Sequence, residues 1–272
     1  MKKWIVGWIA LCGVAAQAAD ASCTRPVLQG AVDSYLAAQK AGDRTKMTFT
    51  EKVKFLENMS EVAADAGLWN TALPIAFSRS FLDADRCRTF SEVIVTEGGH
   101  PYVIGTRLTV EDGKISVIDS LVTDKGDWLF NANNYLKFSS AEDWHPLSKA
   151  ERVPMQRLID GGNQYLDQFS DKLVEAPWGI PCARLEGGAY TNRKIEPNPS
   201  CKVGIPPGVL YIVNRDYVVD EELGVVNIYC RFGNSQTGMP DSHTFRLVNG
   251  KFRYIHTLSV SIGRDSPQVE DY

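Results

Sequence analysis

The strongest constraint on the fold is an internal repeat, in which the ends of the two halves of the chain match each other. The stretch RLTVEDGKISVIDSLV at 107–122 aligns with TFRLVNGKFRYIHTLSV at 244–260, at an offset of 137 residues from Lys114 to Lys251. In both copies, alternating apolar residues surround a two-residue Asp-Gly or Asn-Gly turn, which is a strong signal for a β-hairpin. The repeat therefore predicts two similar units, each ending in an antiparallel hairpin.

An amphipathic helix is predicted at the beginning of each unit. The stretches PVLQGAVDSYLAAQKAGD at 26–43 and PMQRLIDGGNQYLDQFSD at 154–171 both start at a proline and place apolar residues at helical spacing. One helix followed by a curved antiparallel sheet, made twice, predicts an α+β architecture. The expected division is a signal peptide at 1–18, a first half at 23–138, a polar linker at 139–152 and a second half at 153–262.

This element order resembles the nuclear transport factor 2-like cone fold, which ketosteroid isomerase and small polyketide cyclases share. The resemblance implies that N-terminal helices close a bent sheet around a deep apolar pocket in each half. The stretches HPYVIGTRL, DSLVTDKGDWLFNA, PWGIPCARLEGGAYT and DSHTFRLVNGKFRYIHTL are, in addition, similar to a family of secreted fungal proteins. A further similarity, to the ketosteroid-isomerase-like proteins of fungal maleic-anhydride dimer pathways, implies a role in secondary-metabolite biosynthesis.

The first residues, MKKWIVGWIALCGVAAQAADASC, predict a secretory signal peptide. Two lysines precede an apolar run from Trp4 to Ala16, and a small-residue cleavage site follows at Ala16-Gln17-Ala18. The run is shorter than the roughly 20 residues that a membrane-spanning helix needs, so no membrane span is expected after cleavage. The formal net charge of −4 and the lack of a basic cluster argue against a nucleic-acid partner.

Five cysteines remain once Cys12 leaves with the signal, and a secreted chain favours disulfides. The predicted bridges are Cys23–Cys87 and Cys182–Cys201, one inside each half, which leaves Cys230 as a buried free thiol. The cysteine spacings are unlike the CxxC pairs of a structural zinc site. Asn58-Met59-Ser60 is a sequon for N-glycosylation.

Two histidines in the second hairpin are candidates for catalysis. If the Asn249-Gly250 turn continues into a regular ladder, His243 lies opposite His256 on the apolar face, and Asp241 shares that face. The same register places Thr106 opposite Asp119 in the first half. A β-bulge would break this register, and the alternative interpretation is that His256 is a hydrogen-bonded core residue.

The predicted chemistry is proton transfer without a cofactor. His256 and His243 would act as acid and base, Asp241 would orient them, and Asp119 would be their counterpart in the first half. The alternatives are a purely structural Asp119 and a metal site formed by Asp241, His243 and His256.

The stretch PWGIPCARLEGGAY at 177–190 supplies further candidates. Arg184 would hold an oxyanion with Glu186 beside it on one strand face, and a structural ion pair between the two is the alternative. The predicted substrate contacts are the aromatic residues Tyr254, Phe245, Trp178 and Tyr190. The loop at 191–208, tethered by the second disulfide, is either a lid over the pocket or a surface excursion.

Together these features predict a secreted, cofactor-independent lyase, isomerase or cyclase that acts on a small carbonyl-bearing metabolite. The competing prediction is a secreted protein that binds a lipid or another small molecule in the same pockets without turning it over.

Overall fold

The computed structural model describes residues 23–194, 196–202, 204–233, 235–262 and 266–272. The predicted signal peptide at 1–18, including Cys12, lies outside these residues. Within them the helices are α1 (Arg25–Ala41), α2 (Ala132–Ser139) and α3 (Met155–Asp167). The predicted proline starts are found at α1 and α3. None of the described helices has the length and apolar character that crossing a membrane requires.

Each half builds a mixed six-stranded sheet. The strands of the first sheet are β1 (Phe49–Glu57), β2 (Ser60–Glu61), β3 (Phe77–Asp83), β4 (Arg88–Val95), β5 (Tyr102–Glu111) and β6 (Lys114–Thr123). Those of the second are β7 (Ala183–Glu186), β8 (Ala189–Tyr190), β9 (Ile212–Asp220), β10 (Val225–Phe232), β11 (Met239–Val248) and β12 (Lys251–Ser259). The two strand orders are the same, β2-β1-β6-β5-β4-β3 and β8-β7-β12-β11-β10-β9. The order of one helix followed by a six-stranded sheet, found twice, confirms the predicted α+β class with two tandem halves.

A β-bulge lies at the same place in both C-terminal hairpins and changes the register that the turns predict. The extra residue is Ser116 in the first hairpin and Arg253 in the second. These two positions are 137 residues apart, which is the offset of the repeat. Because a strand alternates its faces, one extra residue moves every later side chain to the opposite face of the sheet.

The predicted pairing of His243 with His256 is therefore wrong. His243 pairs with Thr257, and His256 pairs with Thr244, so the two histidine side chains point to opposite faces. Asp119 of the first half changes faces for the same reason.

In the central strands of each sheet, β4–β6 and β10–β12, both faces are largely buried. The inner face packs against the helix of its own half, where Tyr35 of α1 and Tyr165 of α3 are almost completely buried. The outer faces of the two sheets pack on each other, and the rings of Phe90 and Tyr229 meet there edge to face with centroids 6.0 Å apart. The halves therefore share an extensive apolar interface in addition to their separate cores.

Two buried aspartates join the halves in a reciprocal way. The Asp83 carboxylate accepts a hydrogen bond from the Val219 amide at 2.8 Å, and the Asp220 carboxylate accepts one from the Leu82 amide at 2.9 Å. Asp83 and Asp220 differ by the repeat offset, as do Leu82 and Val219. The two halves are thus arranged with approximate twofold symmetry inside one chain.

Both predicted disulfides are present, Cys23–Cys87 and Cys182–Cys201, and Cys230 is a buried free thiol. The first disulfide ties the start of α1 to the turn between β3 and β4. The second ties the connection that follows β8 to the residue before β7, so this long loop is anchored beside the second sheet.

The segment predicted as a polar linker, residues 139–152, packs into the interface between the halves. Trp144 is buried and stacks on Tyr254, with ring centroids 5.4 Å apart. The side chain of Glu142 is only 3% exposed and reaches His256. Trp144 and the side chain of Glu142 are therefore buried at the interface, whereas Ser140, His145 and Lys149 of the same segment are exposed.

Candidate functional site

A cavity of about 490 Å³ lies in the second half, between α3 and the inner face of its sheet. Its wall is mostly apolar and its floor is polar. The apolar lining comprises Trp128, Tyr165, Phe169, Ile205, Pro206, Phe232, Met239 and Ile262, and the polar lining Arg184, Glu186, Asp241, His243, Thr257, Ser259, Ser261 and Ser266. Trp128 comes from the first half, and Ile205 and Pro206 come from the tethered loop. This size and this combination of surfaces are typical of a small-molecule site.

The floor of the cavity is formed by Asp241 and His243, which share one face of β11 because they are two residues apart. The Nδ1 atom of His243 lies 3.2 Å from Oδ2 of Asp241 but out of line for a hydrogen bond, and within the described part of the chain it has no hydrogen-bond partner. The other oxygen of Asp241 accepts hydrogen bonds from the Ser259 hydroxyl at 2.8 Å and the Ser242 amide at 3.0 Å. Asp241 is thus fixed in place and presents its second oxygen to the imidazole.

The ring of His243 is framed by aromatic neighbours. Its centroid lies 5.5 Å from that of Tyr165 and 5.8 Å from that of Phe245. Since Nδ1 is buried and turned toward Asp241, Nε2 is the nitrogen left for a ligand in the cavity. A histidine with a carboxylate beside one nitrogen and the other nitrogen open can act as a general base or acid.

A second polar pair lies on β7, where strand alternation brings Arg184 and Glu186 to the same face as predicted. The Arg184 guanidinium forms an ion pair with Glu186, and Nε1 of Trp128 donates a hydrogen bond to the other oxygen of that carboxylate at 2.9 Å. The charge of Arg184 is therefore balanced within the cavity wall, as in the alternative interpretation of a structural ion pair.

The equivalent interior of the first half is filled. The Tyr35 hydroxyl is 2.7 Å from that of Thr106, which is in turn 2.7 Å from that of Ser120. At the repeat offset, Thr106 corresponds to His243 and Ser120 to Thr257, whose hydroxyl has no hydrogen-bond partner. Where the first half has three hydroxyls hydrogen-bonded to one another, the second half has a cavity with polar atoms that lack hydrogen-bond partners among the described residues. Buried polar groups in proteins are rarely left without a partner, so these atoms suit a bound ligand.

His256 lies on the other face of β12, between the two halves, and does not line the cavity. Its Nδ1 is 3.0 Å from Oε1 of Glu92, and its Nε2 is 2.6 Å from Oε2 of Glu142. Burial disfavours the charged ring, but the two carboxylates outweigh burial and raise the pKa of His256 to about 9. These contacts agree with the alternative interpretation of the sequence, in which His256 is a core residue whose ring nitrogens are hydrogen-bonded.

Asp119 occupies the equivalent position of the first half and likewise faces the interface. It pairs across the ladder with Arg107 and not with Thr106, and its carboxylate accepts a hydrogen bond from that guanidinium at 2.7 Å. Arg107 also donates to Asp216 at 2.9 Å and lies over the ring of Tyr229 at 3.8 Å. Asp119 therefore belongs to an ion network between the halves and not to the cavity.

The four aromatic residues predicted to contact substrate lie outside the cavity lining. Tyr254 and Tyr190 contribute to the interface between the halves. Phe245 is buried in the core next to His243. Trp178 lines a separate, more open surface groove of about 620 Å³.

The cavity residues that sequence reasoning did not single out include Trp128, Tyr165, Thr257 and Ser259. A regular ladder assigns Thr257 and Ser259 to the face opposite His243, and the bulge at Arg253 brings them to the same face. No local signal in the sequence connects Trp128 with the second half, because that contact depends on how the halves pack.

Comparison with known proteins adds a domain family of unknown function. Residues 151–259 match a family model described as a domain of unknown function, DUF8021. No curated protein matches the chain. A solved structure, an NTF-2-like protein of unknown function from Burkholderia xenovorans LB400, covers 43% of this chain and 94% of its own length, with 13% identity and a TM-score of 0.30. The second half, which carries most of the cavity, is thus the part of the chain that is similar to a described domain family.

Proposed function

We propose that this protein is a secreted, cofactor-independent enzyme of the lyase, isomerase or cyclase type, which moves a proton on a small carbonyl-bearing metabolite. The observation that supports it is His243, held beside Asp241 on the floor of a mostly apolar cavity. The apolar wall favours binding of a hydrophobic carbon skeleton, and the polar floor puts a base next to it.

In the proposed reaction, Nε2 of His243 takes a proton from the carbon beside the carbonyl, and the electron pair of that bond moves into the carbonyl to form an enolate. Asp241 fixes the orientation of the ring and stabilises the imidazolium that forms. Arg184 is the cationic group of the cavity lining and suits the enolate oxygen. The imidazolium then returns the proton to another carbon or to a leaving group, which completes an isomerisation or an elimination.

The compartment belongs to the same proposal. The two disulfides fit an oxidising compartment, and the predicted signal at 1–18 would direct the chain there. The sequon at Asn58 lies in the turn between β1 and β2, and its glycosylation remains a prediction. The resemblance to the ketosteroid-isomerase-like proteins of fungal maleic-anhydride dimer pathways suggests a reaction in secondary-metabolite biosynthesis.

A binding protein without turnover is the second candidate, and the Arg184–Glu186 pair favours it. Because Glu186 already neutralises Arg184, the guanidinium is less available to a developing negative charge than a free arginine would be. The apolar wall alone would then retain a lipid or another small molecule.

The test is deuterium exchange beside the carbonyl of small β-keto esters, followed by NMR in deuterium oxide. We expect the wild-type protein to accelerate exchange and His243→Gln to lose about 10²–10⁴-fold of that rate. His145→Gln is the matched control, because His145 also lies beside an aspartate, at 2.6 Å from Asp143, but is 90% exposed and outside the cavity. Binding of the esters without exchange would favour the binding protein, and equal exchange by wild type and His243→Gln would contradict the proposed catalytic role.

A further inference from the structure

Three potential metal ligands meet at the floor of the cavity. One ligand atom each of Cys230, Asp241 and His243 lies within 4.8 Å of the other two, and all three residues are buried. Oδ2 of Asp241 is 4.0 Å from Sγ of Cys230 and 3.2 Å from Nδ1 of His243. Cys230 is the direct ladder neighbour of Asp241, so the backbone of β10 and β11 holds the three side chains on one face.

The contacts within this group are incomplete. The side chain of His243 is 4% exposed, and its Nδ1 forms no hydrogen bond although the carboxylate oxygen is nearby. The thiol reaches the same oxygen only at 4.0 Å, and a thiol is a weak donor. A buried nitrogen that faces a carboxylate oxygen without an aligned proton is costly, and a cation between the two atoms would satisfy both.

We propose that Cys230, Asp241 and His243 bind a divalent transition-metal ion such as Zn²⁺. Thiolate sulfur, imidazole nitrogen and carboxylate oxygen are the ligands that zinc takes, and three protein ligands leave a fourth position for water or a ligand. Tetrahedral bonds of about 2.0–2.3 Å separate ligand atoms by roughly 3.3–3.8 Å. The three atoms here are within about an ångström of that spacing. Asp241 and His243 line the cavity, which gives the metal an entry path.

Binding replaces a proton by the metal. The S–H bond of Cys230 breaks, the proton leaves to solvent and a metal–thiolate bond forms.

The metal site would also oppose the proposed reaction. An imidazole bound to a metal through Nδ1 carries its hydrogen on Nε2, so Nε2 of His243 would become a donor and could not accept a proton from carbon. The site itself does not rest on the proposed reaction, because its ligands bind the metal whether or not the cavity is catalytic.

The experiment is a titration of the full chain, with its disulfides intact, by Co²⁺, followed by absorption spectroscopy. We expect one-to-one binding with a sulfur-to-cobalt charge-transfer band in the wild-type protein. Cys230→Val should lose the band, and valine is the natural residue at the equivalent position of the first half, Val93. His243→Gln should bind Co²⁺ at least about 100-fold more weakly, whereas the exposed control His145→Gln should bind it like the wild type.

Absence of the band from the wild-type protein at saturating Co²⁺, or its survival in Cys230→Val, would overturn the site. If Cys230→Val does not fold, thermal unfolding decides: Co²⁺ should raise the Tm of the wild-type protein and leave that of His243→Gln unchanged. No rise for the wild type would count against the site. Co²⁺ binding without deuterium exchange would contradict only the proposed reaction, and exchange without Co²⁺ binding would contradict only the metal site.

Discussion

His243 and His256 differ in what their ring nitrogens reach. Both nitrogens of His256 face carboxylates, whereas His243 has one nitrogen beside a carboxylate and lines the cavity. In the low-dielectric interior, the positive ring of His256 and the carboxylate of Glu92 stabilise each other. Although burial acts to raise it, the pKa of Glu92 is lowered by His256 and by Arg79. His256 is therefore a structural cation between the halves, and His243 is the histidine available for chemistry.

Replacing His256 with glutamine should destabilise the protein by about 3–5 kcal/mol, because the buried carboxylates of Glu92 and Glu142 lose the cation between them, although Glu92 keeps Arg79 at 3.6 Å. The pKa of His256 rises from 6.5 to about 9 on folding. Its stabilising contribution is therefore complete below about pH 6.5 and is lost as the pH rises through about 9. Urea unfolding of wild type and His256→Gln should show a large difference in stability at low pH that shrinks above about pH 9.

The control for this prediction is His145→Gln, which removes a 90% exposed ring and should change stability by less than about 0.5 kcal/mol. Tyr135 and Tyr190 also face this cluster, and burial raises the pKa of both hydroxyls, so they keep their protons across this range. A difference between wild type and His256→Gln that is as large at high pH as at low pH would refute the cationic role of His256.

At the scale of elements, α3 lies close to the second sheet because it carries two consecutive glycines. A Cβ atom on Gly162 would lie 2.6 Å from Cδ1 of Ile228 and 3.2 Å from the ring of Phe245. This close approach helps to bring Tyr165 of the same helix over His243. The bulge in β12 also shapes the cavity, because it turns the polar residues Thr257 and Ser259 of that strand toward it.

Gly162→Ala should destabilise the protein by about 1–3 kcal/mol, because the added methyl group overpacks the contact between α3 and the sheet. Gly30→Ala is the matched control in α1, where a Cβ would meet nothing within 4 Å. Since alanine is the better helix former, Gly30→Ala should stabilise the protein by about 0.5–1 kcal/mol. Thermal unfolding of both variants measures this contrast. A change in Tm of the same sign and size in both would show that the contact of α3 with the sheet at Gly162 is not tightly packed.

The sequence predicts helices, hairpins and disulfide partners because these follow from local patterns of apolar residues, turns and cysteines. It does not predict the register beyond the turns, because a bulge has no fixed sequence signature. A trace of the bulge is nevertheless present. Ile118 comes three residues after Ile115, and Ile255 comes three residues after Phe252. In a regular strand, residues three apart lie on opposite faces, so two such apolar pairs on the inner face require an extra residue between them. The cavity itself depends on the distance between α3 and the sheet, which the pattern of one strand does not encode.

At the scale of the whole molecule, the duplicated halves have different interiors and a shared interface. The first interior is filled by Tyr35 and its hydroxyl partners, whereas the second retains the cavity. At the interface, Asp119 and His256 occupy equivalent positions, and each is held in a network of opposite charges. The pairs Arg107–Asp216 and His256–Glu92 join the two halves, so separating the halves would break them. Glu142 belongs to one of these networks, which explains why its charged side chain is buried in a segment whose other polar residues are mostly exposed.

The most direct test of this account is NMR of the isotope-labelled imidazole nitrogens, with His243→Gln and His256→Gln used to assign the signals. One imidazole should keep both of its N–H protons up to about pH 9, and its signals should be missing from His256→Gln. Addition of a β-keto ester should shift the signals of His243 and leave those of His256 in place. Loss of the second proton of His256 near pH 6.5, or a shift of the His256 signals on addition of the ester, would contradict the placement of the two histidines on opposite faces of the sheet.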